Sequence, residues 1–249
     1  MFDAAEIYLK RINPLIEMAI LEEGYESSPG LIMPDKRDLV EALRQSLILL
    51  PVAFFEEFLR NLFQQFVDNL NGLNPRLEWR DLPLSLTRAH VFETSLVMRK
   101  KPSDGDDLSY QMNCIADLKN IIDKIVSPLT KPTAYIIAEE SFTNTNSNPD
   151  SNTVKEMFDK IGIKKLFQQQ ELITEMSKLE SIYSNGESIR LKLNEVVDLR
   201  HGVAHGRQPL SMTRTELVNN IIFLQYFASS LQKLAQLSFI SLEQKRIPS

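Results

Sequence analysis

Residues 38–70 read DLVEALRQSLILLPVAFFEEFLRNLFQQFVDNL, and this stretch decides the fold class. Its apolar residues recur at steps of three and four, which is the spacing of one face of an α-helix. Pro51 has no backbone N–H, so it should kink this helix or divide it in two. The turn sequence NGLNP at 71–75 ends the run. The pattern predicts a long helix in an all-α protein, with the aromatic run at 54–63 packed in the core.

The same helical spacing recurs along the rest of the chain. Only 8 of 249 residues are glycine, and no regular alternation of apolar and polar residues indicates a strand. Further helices are predicted over 84–101, 108–126, 151–161, 164–183, 187–205 and 213–240. Ser151 or Asn152 is expected to cap the short helix that stops at Gly162, and Thr213 with Glu216 matches a capping box.

One domain spanning 1–249 is expected, with its core in about 38–240. Residues 141–152, SFTNTNSNPDSN, form the most polar segment and are rich in residues that compete with helical backbone bonding. They predict either a surface loop within one helical unit or a linker between two subdomains.

Composition favours a cytoplasmic protein without a membrane span. No run of about 18 uncharged apolar residues is present, and the first residues, MFDAAEIYLKRINPLIEM, lack the apolar segment of a signal peptide. A single cysteine, Cys114, cannot form an intramolecular disulfide, which fits a reducing compartment.

Charge is distributed unevenly along the chain. Residues 1–154 carry 15 Lys and Arg against 23 Asp and Glu, whereas residues 155–249 carry 13 against 10. The second part is therefore the one expected to face a polyanion. Lys164, Lys165 and Arg207 are its candidate phosphate contacts.

Residues 199–206, LRHGVAHG, contain two of the three histidines of the chain. On a helix His201 and His205 lie one turn apart and only about 40° apart around the axis. Arg200 precedes them, and the small residues Gly202 and Ala204 between them would let another chain approach closely. This cluster is the candidate functional site.

Three kinds of chemistry fit the cluster. HxxxH is half of a zinc site, but the glutamate of HExxH is absent and His90 is the only other histidine. Cations at a helix C-terminus also interact favourably with the helix dipole, and Gly206 suits the position after such a helix. Finally, histidine exchanges protons near neutral pH and arginine binds phosphate, which together form half of a phosphodiester-cleaving site.

RHGVAHG resembles the motif of the HEPN superfamily, in which an arginine, a polar residue and three further residues precede a histidine. Two other segments carry the resemblance. VAFFEEFLRNLF at 52–63 is similar to the aromatic–Glu stretch on the partner helix, and NPDSNTVKEMFDKIGI at 148–163 is similar to the middle segment of the branch associated with RiboL-PSP proteins. Together they cover about 38–235.

The resemblance implies an all-α helical bundle with additional helices that forms homodimers through its motif-bearing helices. It also implies a metal-independent endoribonuclease without a cofactor, used as a toxin or in defence against phage. Arg200 would bind the scissile phosphate, His205 would be the general acid/base, His201 the supporting polar residue and Glu56 the group that orients Arg200. The partners would be tRNA or single-stranded RNA, a second copy of the chain, and an antitoxin or other defence protein.

Two alternatives stay open at this level. Glu56 could instead be an exposed carboxylate paired with Arg60 one turn further on. The chain could also be a non-catalytic HEPN dimer that binds RNA, a nucleotide or a protein. Its acidity, with a pI of about 5.4, supports this second alternative because general RNA binders are usually basic.

Overall fold

The computed structural model describes residues 2–27, 36–97, 148–206 and 212–245, with the separate positions 119, 123, 131, 135–137 and 142. Within these residues there are seven α-helices and no strands, which confirms the all-α fold class. The helices are α1 (Ala4–Ser27), α2 (Lys36–Asn71), α3 (Leu84–Val97), α4 (Ser151–Lys160), α5 (Gln170–Ser177), α6 (Gly186–Ala204) and α7 (Arg214–Gln244). None of the described helices has the length and apolar content that crossing a membrane requires.

The bundle is organised around α2, which packs against α1, α6 and α7. Contrary to one expectation, Pro51 does not divide this helix. Leu47 and Ile48 before the proline and Val52 and Phe55 after it are all buried. Burial of these side chains on both sides of Pro51 offsets the single backbone hydrogen bond that the proline cannot make.

Aromatic rings fill the centre of the bundle, which confirms the prediction for the run at 54–63. Phe55, Phe58 and Phe63 are buried. The ring of Phe55 lies 5.7 Å from that of Phe227 on α7, and the ring of Phe63 lies edge-on at 5.2 Å from that of Phe158 on α4. Such pairs add about 0.5–1.5 kcal/mol each to the burial of their surface.

Two glutamines attach α1 to the rest of the bundle. The first turn of a helix has backbone N–H groups without an intrahelical acceptor. The side-chain oxygen of Gln65 on α2 accepts hydrogen bonds from the backbone N–H of Asp3 and Ala4, at 3.0 and 3.2 Å. That of Gln232 on α7 accepts from the N–H of Ala5 at 2.7 Å. The start of α1 is therefore held by both neighbouring helices.

The helix ends predicted from residue 150 onward are largely confirmed. The hydroxyl of Thr213 accepts from the N–H of Glu216, whose carboxylate accepts from the N–H of Thr213, so the capping box is present. Gly162 follows α4 with a φ of +92°, a conformation that favours glycine. The cap of α4 is corrected, because Asp150, rather than Ser151 or Asn152, accepts from the N–H of Thr153 at 2.7 Å.

The prediction of one helix over 164–183 is wrong. Lys165 has left-handed backbone angles, with φ at 53°, and a 3-10 turn over Leu166–Gln168 precedes α5. A second 3-10 turn, Ser181–Ser184, follows it. The irregular path buries Leu166, Leu172 and Tyr183 together, so tertiary packing overrides the helical spacing of the segment. Most of the predicted helix over 108–126, residues 98–101 of another, and most of the 141–147 segment lie outside the described residues.

Candidate active site at the end of helix α6

Helix α6 carries the Arg–His cluster and begins at a tightly defined point. The Asn185 side chain accepts from the N–H of Ser188 at 2.9 Å and so caps the helix. A Cβ on Gly186 would lie 1.5 Å from the carbonyl oxygen of Phe167, so no side chain fits there. This close approach fixes the start of α6 against the turn before α5.

One face of α6 is buried in the bundle. Ile189, Leu193, Val196 and Val197 are all buried, and α6 packs against α2 along this face. The opposite face is open, since Leu191, Glu195 and Asp198 are exposed. The two faces determine the directions in which the residues of the cluster lie.

Arg200 continues the buried face of α6. It follows Leu193 by seven residues, which is about two turns, and therefore lies in the same row. Its side chain is half-buried. Within the described part of the chain, this guanidinium forms no hydrogen bond or ion pair. A half-buried guanidinium directed at the bundle is well placed to receive an anion.

His201 and His205 lie together on the solvent side. Both are exposed, and their ring centroids are 4.3 Å apart with the ring planes at 62°. His205 is the C-cap of α6, and its N–H donates to the His201 carbonyl at 3.2 Å. Gly206 follows with a φ of +63°, as expected for the residue after a helix. The imidazoles are thus accessible to a ligand and in contact with each other.

Glu56 is buried rather than exposed, with 7 % of its surface accessible. It does pair with Arg60, so that part of the structural alternative is confirmed, while the expected exposure is wrong. Glu56 lies on α2, the helix against which the buried face of α6 packs. Its role in orienting Arg200 stays a prediction.

Two of the basic residues predicted to contact phosphate, Lys164 and Lys165, do not join the cluster within one chain. Lys164 and Lys165 are exposed and lie beside the turn that contacts Gly186 at the start of α6. Arg200 is fourteen residues further along the same helix, a rise of about 21 Å. Arg207 lies outside the described residues.

In the part of the chain that the structure describes, no three His, Cys, Asp or Glu side chains come together in a group that could hold a metal ion. His90 is fully buried on α3, and its ring lies 5.5 Å from that of Trp79.

Sequence reasoning missed Asn194, which connects α6 to α4. Its side-chain oxygen accepts from the N–H of Ser151 at 3.0 Å, in the first turn of α4. A signal was available, because asparagine is unfavourable in the interior of a helix unless its side chain has a specific partner. The position of Asn194 in the middle of α6 could have indicated such a partner.

The protein is an all-α bundle that carries an arginine and two histidines at the end of one packed helix. It therefore belongs to the class of helical proteins with a polar site at a helix terminus. A family model described as RiboL-PSP-HEPN matches residues 9–236, and the chain belongs to that family. No curated protein and no solved structure matches it significantly. Membership indicates a ribonuclease or RNA-binding function, and HEPN domains often form dimers.

Proposed function

We propose that the protein is a metal-independent endoribonuclease whose site is formed by Arg200, His201 and His205. The observation that carries this proposal is the exposed His201–His205 pair directly after a half-buried guanidinium at the end of α6. Simple capping of the helix would need only one cation near the last carbonyls. RNA cleavage requires a cation that binds the phosphate and, next to it, groups that accept and donate protons.

The proposed reaction is an internal transesterification of RNA. The ribose 2′-oxygen attacks the adjacent phosphorus and loses its proton, while the bond from phosphorus to the 5′-oxygen breaks and that oxygen gains a proton. The products are a 2′,3′-cyclic phosphate and a 5′-hydroxyl. His205 moves the protons, and Arg200 stabilises the negative charge on the phosphate oxygens in the transition state.

The directions of the side chains favour a homodimer. Arg200 and His205 lie about 140° apart around α6, so one lies toward the bundle and the other toward solvent. The reaction also needs one group that accepts a proton and one that donates it. Two copies of α6 facing each other would supply two histidines and two arginines to one phosphate. His201 supports His205 through its ring contact, and Glu56 orients Arg200 from α2.

In the cell we place this activity in the cytoplasm, in a toxin or anti-phage role restrained by an antitoxin or another defence protein. The substrate would be tRNA or single-stranded RNA. A selective nuclease with a small contact surface is compatible with the net charge of −5. Lys164 and Lys165 would then contact more distant parts of the RNA, and Arg207 stays a candidate phosphate contact.

Cleavage in EDTA tests the proposal. Purified protein is incubated with total tRNA and with a single-stranded RNA, beside His205→Ala and the control Arg190→Ala. Arg190 lies on the same helix and pairs with Glu187 at the surface. We expect EDTA-resistant cleavage by wild type and control, and a loss of about 10²–10⁴-fold for His205→Ala. Equal cleavage by His205→Ala would contradict the assignment of the general acid/base.

The acidity of the chain also favours a second function, a non-catalytic HEPN dimer that binds RNA, a nucleotide or a protein. This alternative predicts no cleavage by any variant, together with binding that depends on Arg200. Measuring RNA binding and oligomeric state on the same samples separates the two functions.

A further inference from the structure

The His201–His205 pair has the arrangement of a two-ligand metal chelate. The two residues are four positions apart on α6, both side chains are exposed, and their ring centroids are 4.3 Å apart. The backbone N–H of His205 donates to the His201 carbonyl, so the last turn of the helix is formed beneath both rings. The helix therefore presents two imidazoles side by side to solvent.

The spacing of the rings suits a zinc ion. Zinc binds imidazole nitrogen at about 2.0–2.1 Å in tetrahedral geometry, so two nitrogens on one ion lie about 3.3 Å apart. Rings with their centroids 4.3 Å apart come within this reach by rotation about their side-chain bonds. Exposure of both side chains leaves room for this rotation and for the ion.

The charges around the pair favour a cation. The C-terminus of a helix carries a partial negative charge, and His205 is the C-cap of α6. Asp198 is exposed and lies one turn before His201 on the same face. Arg200 is the opposing charge, but it is half-buried and lies about 100° around the helix from His201. A divalent ion at the histidines is therefore attracted by the helix end and by Asp198.

Two protein ligands make such a site exchangeable. Among the residues that the structure describes, no third His, Cys, Asp or Glu joins the pair to form a metal-binding group. A structural zinc site has four protein ligands, so the remaining positions on this ion are left to water. A chelator can remove an ion held in this way, which suits a regulatory metal rather than one that holds the fold.

We propose that His201 and His205 chelate a zinc ion and that the bound ion inhibits the nuclease. The lone pair that an imidazole nitrogen gives to zinc is the one with which it accepts a proton. A zinc-bound nitrogen of His205 therefore cannot take the proton from the ribose 2′-oxygen. Metal binding rests on the geometry of the pair alone, whereas inhibition rests on the proposed nuclease function.

Titration calorimetry of the full chain with zinc chloride, and with magnesium chloride for comparison, tests the site. We expect zinc to bind at micromolar concentration and magnesium not to bind, because magnesium prefers oxygen ligands. His201→Gln and His205→Gln should each weaken zinc binding by about tenfold or more, since loss of even an outer partner of a metal ligand costs about 10–100-fold. Arg190→Gln changes the exposed surface at the other end of α6 and should bind zinc like wild type. Circular dichroism shows whether each variant keeps its helices.

Cleavage of tRNA at saturating zinc tests the inhibition. We expect zinc, but not magnesium, to lower the initial rates of wild type and of Arg190→Gln, and EDTA to restore them. His201→Gln, measured relative to its own rate without zinc, should need about tenfold more zinc for half-inhibition. This comparison separates zinc bound to the protein from zinc bound to the RNA.

The metal site and the nuclease fail in different ways. The metal site is overturned if wild type binds no zinc at millimolar concentration, or if both histidine variants bind zinc like wild type; neither result bears on cleavage. Zinc binding that depends on both histidines, in a protein that cleaves RNA equally fast with and without zinc, refutes the inhibition. If wild type cleaves no RNA in EDTA, the nuclease and its inhibition are both wrong, while histidine-dependent zinc binding still upholds the metal site.

Discussion

Arg200 and His205 are five residues apart on one helix, yet their surroundings differ. Five residues advance an α-helix by about 140° beyond one full turn. Arg200 therefore continues the row of Leu193 into the bundle, whereas His205 follows the exposed Asp198 by seven residues. Burial raises the electrostatic importance of a charge, because water screens it less. In the proposed reaction Arg200 would therefore be the anchor for the phosphate, and the more exposed His205 would carry the protons.

Substitution of Arg200 tests the anchor. A lysine keeps the positive charge but loses the planar fork that binds two phosphate oxygens together. We expect Arg200→Ala to lower the cleavage rate by about 10²–10³-fold, and Arg200→Lys to recover only part of this loss. Initial rates of tRNA cleavage, with Arg190→Ala as the control, measure the effect. Wild-type rates for Arg200→Lys would show that only charge matters at this position.

The burial of Glu56 could have been predicted from sequence alone. Val52 precedes it by four residues and Phe63 follows it by seven, so all three lie in one row of α2. Both neighbours are buried. A carboxylate among buried apolar residues is costly unless it is paired with a cation. Arg60 is such a cation. The sequence interpretation considered the i, i+4 pair and overlooked the apolar row in which the glutamate lies.

Among the elements, α4 and α6 are joined through the side chain of Asn194. Loss of its oxygen leaves the N–H of Ser151 without that acceptor, and Ser151 is 1 % exposed. We expect Asn194→Ala to lower the free energy of unfolding by about 1–2 kcal/mol. Asn194→Asp keeps an acceptor oxygen and should restore most of the loss. Urea unfolding of the three proteins measures this, and equal destabilisation by both substitutions would contradict it.

Helices α5 and α7 are joined by an ion pair that should depend on pH. Hydrogen bonds from Lys178, and then from Lys233 on α7, hold the pKa of the Glu175 carboxyl below its ordinary value. A carboxyl whose pKa is lower in the folded chain stabilises the fold above its unfolded pKa, and this contribution disappears as the pH falls through the folded pKa. We expect Glu175→Gln to lower the unfolding free energy by about 0.5–1 kcal/mol at pH 7.

The same variant should lose less stability than wild type when the pH is lowered below the ordinary glutamate range. Urea unfolding at neutral and at acid pH gives both quantities. Glu156→Gln, which removes an exposed carboxylate of α4, is the matched control. If Glu175→Gln and wild type lose equal stability on acidification, the link between α5 and α7 does not depend on this carboxylate.

Local sequence signals predicted helices well where the contacts that stabilise them are also local. The capping box of Thr213 and Glu216 lies within one turn, and α7 begins where it predicts. The segment 164–183 also has helical spacing, but its conformation depends on residues far along the chain. The Phe167 carbonyl packs on Gly186, and the ring of Tyr183 lies 5.4 Å from that of Phe223. No local pattern contains those contacts.

The Arg–His cluster also depends on contacts that no local sequence pattern contains. Its residues could be named from their order in LRHGVAHG, and the i, i+4 spacing predicted that His201 and His205 lie together. The direction of Arg200 depends on which face of α6 meets α2, and that is a property of the packed bundle. The sequence interpretation treated all three residues as one cluster. The structure separates the half-buried Arg200 from the exposed histidines.

At the scale of the whole molecule, the proposed site combines residues from two copies of the chain. An Arg200→Ala homodimer keeps both His205 residues and lacks both anchors, while a His205→Ala homodimer keeps both anchors and lacks both proton carriers. If one site is shared between two copies, a mixed dimer has one anchor and one proton carrier facing the same phosphate. If each copy is complete, every site in the mixed dimer lacks one of the two groups.

We therefore expect cleavage to reappear when the two inactive variants are unfolded together and refolded as mixed dimers, at a rate below that of wild type but well above that of either variant alone. Differently tagged copies allow the mixed dimer to be purified before the assay. Variants mixed without unfolding provide the control for exchange. A pure mixed dimer as inactive as its parents would contradict the expectation that one Arg200 and one His205 from different chains are sufficient for cleavage at a shared site.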